Sequence, residues 1–161
     1  MKSNFNHQGL TVIELMVVIF IIALIATVGL VAWQNSRFKA HDAKRIYDIQ
    51  QYAKAIRLYD LENKRYPQDS DCPGGSCTGQ LGWDKNASPN NVLAPFFPAL
   101  PADPLANGNT GLNDYFYYYH ERNPNCGNKP TVSVENMATG NSEYHFNPCV
   151  GDSADYLIVL E

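Results

Sequence analysis

From Leu10 to Trp33 the chain reads LTVIELMVVIFIIALIATVGLVAW, 24 residues with one charge, Glu14. As a helix rising 1.5 Å per residue, this run is about 36 Å long, enough to cross a hydrocarbon core of about 30 Å. A chain of 161 residues has too small a core to bury a helix that is apolar on every side. A cleaved secretory signal has a basic start and an apolar core of about 7 to 15 residues. Here the run is longer, and Lys2 is the only basic residue before it. A plain signal anchor accounts for the length but not for Glu14, since an intramembrane carboxylate costs about 2.5–3.5 kcal/mol on insertion scales.

The acid makes sense once its neighbours are read with it. Gln8-Gly9-Leu10-Thr11-Val12-Ile13-Glu14-Leu15-Met16-Val17-Val18 resembles the class III prepilin signal of type IV pilins and type II secretion pseudopilins. The resemblance implies that residues 1–9 are a leader, that a prepilin peptidase cuts after Gly9 on the cytoplasmic face, and that the new N-terminus at Leu10 is methylated. Leu10 stands where the family usually has Phe, a departure that keeps a large apolar side chain. Cleavage would create an α-amino group four residues before Glu14, on the same helix face. The resemblance assigns Glu14 to assembly, pairing with the terminal amine of a neighbouring subunit. The macrodipole favours an acid near a helix start by only about 0.3–1 kcal/mol, so pairing carries most of the compensation. Lys2 precedes the span while Arg37, Lys39, Lys44 and Arg45 follow it, so the positive-inside rule alone would put the C-terminal part in the cytoplasm. The cleavage motif and the cysteines point the other way, to a C-terminal part outside it.

No helix breaker occurs between Gln34 and Asn63, and Ala43, Ile46, Ile49, Ala53, Ile56 and Tyr59 recur at spacings of three and four. The helix therefore continues into water, with Lys39, Asp42, Lys44, Arg45, Asp48, Lys54 and Arg57 read as its solvated face. Asn63 and the following Tyr66-Pro67 mark its end, because proline disfavours helical geometry in the residue before it. Ala43-Lys44-Arg45, Ile56-Arg57-Leu58-Tyr59, Asn63-Lys64-Arg65-Tyr66-Pro67 and Leu100-Pro101-Ala102-Asp103-Pro104 are similar to the major pseudopilin branch of the family.

Residues 67–111 are rich in Pro, Gly, Asn, Asp and Ser and read as loops, with a short helix or turn at Asn91 to Phe97. Strand signals follow at Tyr115 to His120, Thr131 to Glu135, Glu143 to Asn147 and Tyr156 to Leu160. The expected fold is α+β: a long N-terminal helix, apolar in one half and amphipathic in the other, packed against a small C-terminal antiparallel sheet. The expected organisation is leader 1–9, transmembrane and assembly helix 10–33, amphipathic continuation 34–63 and an extracytoplasmic pilin-like domain 64–161. Tyr115, Tyr117 and Tyr119 would share one strand face, with core packing the ordinary explanation and a subunit contact or adhesive patch the alternative.

Cys72, Cys77, Cys126 and Cys149 lie outside the apolar run, which suits an oxidising compartment. Pro73-Gly74-Gly75-Ser76 is a turn-forming spacer, so the expected disulfides are Cys72 with Cys77 and Cys126 with Cys149. A zinc site drawing on these thiolates and His145 is the alternative, although the spacings match no zinc module. Asp152 and Asp155 are oxygen donors on one loop and a candidate Ca²⁺ site, as in the C-terminal loop of some major pseudopilins. Two turn acids before a strand are the plainer reading, and no cofactor is expected.

The net charge of −4 excludes a general basic surface for nucleic acid. The sequence has no HExxH, phosphate-binding glycine loop or G-x-S-x-G, and His7, His41, His120 and His145 make no triad by spacing. Together these features point to a non-enzymatic subunit of a type IV pilus or type II secretion pseudopilus. Its expected partners are a prepilin peptidase, identical or related subunits, an inner-membrane assembly platform and membrane lipid. Its expected place is the inner membrane as a single-pass protein, or a filament once assembled. The alternative is a single-pass exported binding protein or adhesin that never polymerises.

Overall fold

A computed structural model describes residues 11–82, 89–106, 115–138, 146–149 and 151–161, without the side chains of residues 28–32. The chain divides into two compact units, residues 1–37 and 38–161. One helix, α1 (Val12–Asn63, 52 residues), runs through both.

In the first unit, every large apolar side chain described from Val12 to Ile25 is exposed. Among the described residues no helix is long and apolar enough to cross a membrane. The continuous apolar stretch with described side chains runs from residue 12 to residue 27, about 24 Å of helix. The span 10–33 expected from the sequence thus lies partly outside them.

In the second unit, Ile49, Tyr52, Ala53 and Ile56 of α1 are buried against a four-stranded antiparallel sheet. Its strands are β1 (Gly79–Leu81), β2 (Phe116–Asn123), β3 (Lys129–Glu135) and β4 (Tyr156–Val159), in the order β1-β2-β3-β4. Alternation along β2 and β3 puts Tyr117, Tyr119, Val132 and Val134 into the core shared with the helix. Phe116, Tyr118 and His120 alternate with these, and their rings follow one another at 6.0 and 4.7 Å. Tyr117 and Tyr119 are therefore core residues, as the plainer reading of the tyrosine cluster had it.

Helix α1 ends where expected. Lys64, at φ 61°, turns into the left-handed region, and its N–H returns to Asp60 O at 2.7 Å. Asn63 Nδ2 donates to Tyr59 O at 3.0 Å and takes up another terminal carbonyl.

Elsewhere the structure departs from the sequence reading. β2 extends to Asn123 and β3 begins at Lys129. β1 lies in a stretch read as loop, and α2 (Asn90–Leu93) with a 3-10 turn at Ala94–Phe96 covers the expected short helix. Of the strand expected at Glu143 to Asn147, residues 143–145 lie outside the described residues. Phe146 makes a single parallel bridge to Tyr156, and Asn147 belongs to no strand.

β1 has only three residues and is clamped after its last. Asn90, fully buried, accepts from Gly82 N–H at 2.9 Å and donates to Gln80 O at 3.3 Å. Gly82 sits at φ 87°, where a Cβ would stand 2.1 Å from Pro101 O, so this close approach admits only glycine.

Candidate functional site

The cleavage residues Gly9 and Leu10 lie outside the described residues. Thr11 is the N-cap of α1, and Leu15 N–H donates to Thr11 O at 3.1 Å, the first helical bond. Glu14 Oε2 accepts from Thr11 N–H at 2.8 Å and from Thr11 Oγ1 at 2.8 Å, while Glu14 N–H donates to Thr11 Oγ1 at 3.3 Å. This is a capping box: the N-cap hydroxyl serves the third helical N–H, and the third helical acid serves the N-cap N–H. Glu14 therefore has a second task beside the amine pairing assigned to it. Among the described residues, Glu14 Oε1 has no partner. Thr11 was not singled out in the sequence reading, although Thr-Val-Ile-Glu ahead of an apolar run is the sequence signature of this cap.

The second unit holds a charged cluster that the sequence reading assigned to a solvated face. Arg45 is fully buried, Asp42 is fully buried, and Asp48 is nearly so. Arg45 Nε donates to Asp103 Oδ2 at 2.7 Å, Nη1 to Asn136 O at 2.7 Å, and Nη2 to Glu135 O. The guanidinium also lies 5.1 Å from the ring centroid of Tyr115, within cation–π range. One side chain of α1 thereby holds the loop at Asp103, the end of β3 and the approach to β2. Asp42 Oδ1 accepts from Ala138 N–H at 2.9 Å. Asp48 Oδ2 takes Lys44 Nζ at 2.7 Å and Tyr117 Oη at 2.9 Å. Burial raises the pKa of Tyr117, and the acids Asp103 and Asp48 add to the rise, so its hydroxyl stays a donor. The periodicity argument failed here because loops far along the chain, rather than the helix itself, cover this face.

The structure joins Cys72 to Cys77 and Cys126 to Cys149, with Cα separations of 5.2 and 5.0 Å. The second bond lies beside buried Ala154 and Leu157 in a small cluster separate from the main core. The zinc alternative is excluded, since all four thiols are bonded; its His145 lies outside the described residues.

Asp152 and Asp155 stand on one loop, but protein donors engage both carboxylates. Asp152 Oδ2 accepts from Asn123 Nδ2 at 2.6 Å, Asp152 Oδ1 from Ala154 N–H at 2.9 Å, and Asp155 Oδ2 from Met137 N–H at 2.5 Å. Among the described residues, no group of three or more His, Cys, Asp or Glu side chains is placed to hold a metal ion. As arranged, the two acids tie the loop to Asn123 and Met137.

Residues 4–30 match the family model for the prokaryotic N-terminal methylation motif. The chain is 33% identical to a type II secretion system core protein G of Pectobacterium carotovorum over 66 residues, 41% of this chain and 42% of that one. It is 26% identical to the protein of the same name in Vibrio cholerae, over 89% of this chain and 88% of that one. It is also 39% identical to prepilin peptidase-dependent protein D of Escherichia coli, over 44% of this chain and 47% of that one. No solved structure matches the chain. The chain thus carries the prokaryotic N-terminal methylation motif over residues 4–30 and is similar to the type II secretion system core proteins G.

Proposed function

We propose that this chain is a structural, non-enzymatic subunit of a type II secretion pseudopilus. In this reading a prepilin peptidase cuts between Gly9 and Leu10, Leu10 is methylated, and the mature chain assembles through its N-terminal helix with copies of itself or related subunits. The leader is 1–9, the membrane and assembly helix 10–33, its amphipathic continuation 34–63 and the extracytoplasmic domain 64–161. An inner-membrane platform and membrane lipid are its further partners, and no cofactor is needed.

One observation carries the reading. The methylation motif, matched over residues 4–30, includes the Thr11–Glu14 cap that begins a helix whose apolar side chains are exposed. A helix apolar all round has no stable place in water, so lipid or other such helices must cover it. Similarity to core protein G along most of the chain favours a pseudopilus over a pilus. Expression in the native host with the secretion genes intact, followed by shearing and electron microscopy with an antibody to the C-terminal domain, tests assembly. Labelled filaments are expected. Protein confined to the membrane when other subunits form filaments would overturn it.

A further inference from the structure

Within the second unit, α1 buries one side against its own sheet and leaves the other uncovered. Lys39, Ala43, Tyr47, Lys54, Arg57 and Leu61 are all exposed, Tyr47 at 60% and Leu61 at 64%. Spacings of four, four, seven, three and four residues put the six on one helix face.

The charge on this face has one sign. Asp42 and Asp48 are the only acids between residues 38 and 59, and both are buried. Asp42 is bonded to Ala138 N–H, and Asp48 to Lys44 and Tyr117, so neither faces the stripe. Among the described residues, Lys39, Lys54 and Arg57 belong to no ion pair. The rest of the unit has the opposite sign. Residues 64–161 carry eleven Asp and Glu against five Lys and Arg. Three of those cations, Arg65, Arg122 and Lys129, are already paired with Asp71, Glu121 and Glu161, which leaves a surplus of acid. Asp69 is exposed on this surface.

We propose that the face of α1 bearing Lys39, Lys54 and Arg57 docks on the acidic surface of residues 64–161 of a second copy of this chain. The proposal rests on the pseudopilus reading above and names a second contact between its subunits, outside the apolar part of the helix.

Two different but complementary patches on one chain make a heterologous contact. Each copy gives its basic face to one neighbour and its acidic surface to another, and where the rotation closes no ring the series is an open filament. A single exposed ion pair contributes little, but matched potentials set the register of docking and reject arrangements that bring like charges together. Tyr47 and Leu61, uncovered in the lone subunit, supply apolar area to the same contact. A membrane surface does not account for the face. In the pseudopilus reading the membrane helix ends at Trp33, and Lys54 stands about 24 Å along α1 even from Phe38, well beyond a Debye length of about 8 Å.

The test uses filaments sheared from the native host and treated with a carbodiimide, which joins an amine to a carboxylate in direct contact and leaves no spacer. Covalent dimers are separated from monomers, digested and mapped by mass spectrometry. Links from Lys39 or Lys54 to acids of residues 64–161 are expected in the dimer and not in the monomer. Lys54→Glu combined with Arg57→Glu should lower filament yield about tenfold, with the thermal midpoint unchanged because both side chains are exposed. Lys54→Arg combined with Arg57→Lys keeps both charges and should assemble like the wild type. Dimer links that avoid these lysines, links from them to a different protein, or a normal yield from the double reversal would overturn the contact while leaving the pseudopilus reading in place. Absence of wild-type filaments would overturn that reading and the contact with it.

Discussion

Thr11 and Glu14 cap one another: a single carboxylate oxygen accepts both the backbone N–H and the hydroxyl of Thr11, each at 2.8 Å. The acid that insertion energetics disfavours thus begins the helix that the proposed function places in the membrane. Capping and charge can be separated by substitution, because a glutamine at the third helical position also serves a capping box. Glu14→Gln should keep the helix start, membrane insertion and processing, yet reduce filament yield, since it removes the anion proposed to meet the new amine. Filaments at the normal yield would show that the charge is dispensable.

Thr11→Ala removes the cap and keeps the charge. The first turn should lose about 1 kcal/mol and exchange its amides faster, with filament yield reduced less than in Glu14→Gln. Hydrogen exchange over residues 12–15, paired with a filament assay, reads both effects. An equal loss of assembly in the two variants would give the cap, and not the charge, the leading part.

Arg45→Met should destabilise the C-terminal unit by about 3–5 kcal/mol, because Asp42, Asp103 and the carbonyls of Glu135 and Asn136 would be left buried without their cation. Adding Asp103→Leu should restore part of that loss, since removing both members of a buried pair is milder than removing one. Thermal unfolding of the full chain in detergent measures both. An Arg45→Met melt at the wild-type midpoint would contradict the clamp.

Replacing Cys126 and Cys149 by Ser should lower the midpoint more than replacing Cys72 and Cys77. The first bond spans a sequence separation of 23 and the second of 5, and chain entropy gives the longer loop the larger effect, about 3 kcal/mol. Equal losses would mean that local packing outweighs loop closure.

Acid should loosen the end of α1. The Arg65 guanidinium bonds Asp71 and holds its carboxyl below the ordinary range, so the stability it adds is present above that range and lost as pH falls through the lowered value. Asp71→Asn should flatten the acid limb of a stability–pH curve measured by thermal unfolding. An unchanged acid limb would remove the pair from the account.

Much of this molecule can be read from the sequence because its governing features are local. The apolar run with one acid, the stop at Asn63 and Tyr66-Pro67, and the Pro-Gly-Gly-Ser spacer between Cys72 and Cys77 each act through neighbours a few residues away. Arg45 was misread for the opposite reason. Its spacing places it on a polar helix face, and only Asp103, Glu135, Asn136 and Tyr115, each tens of residues distant, bury it. β1 was missed because three residues give no alternation to recognise, and its partners Tyr117, Tyr118 and Tyr119 define it. Composition offers Asp152 and Asp155 both as turn acids and as candidate ion ligands, and only the fold brings Asn123, Ala154 and Met137 to their carboxylates.

Intact-mass analysis of the protein purified from its native host tests the central claim most directly. The account predicts a chain lacking residues 1–9, starting at Leu10 and heavier by about 14 Da for one methyl group. A chain that still carries its first nine residues in that host would contradict it.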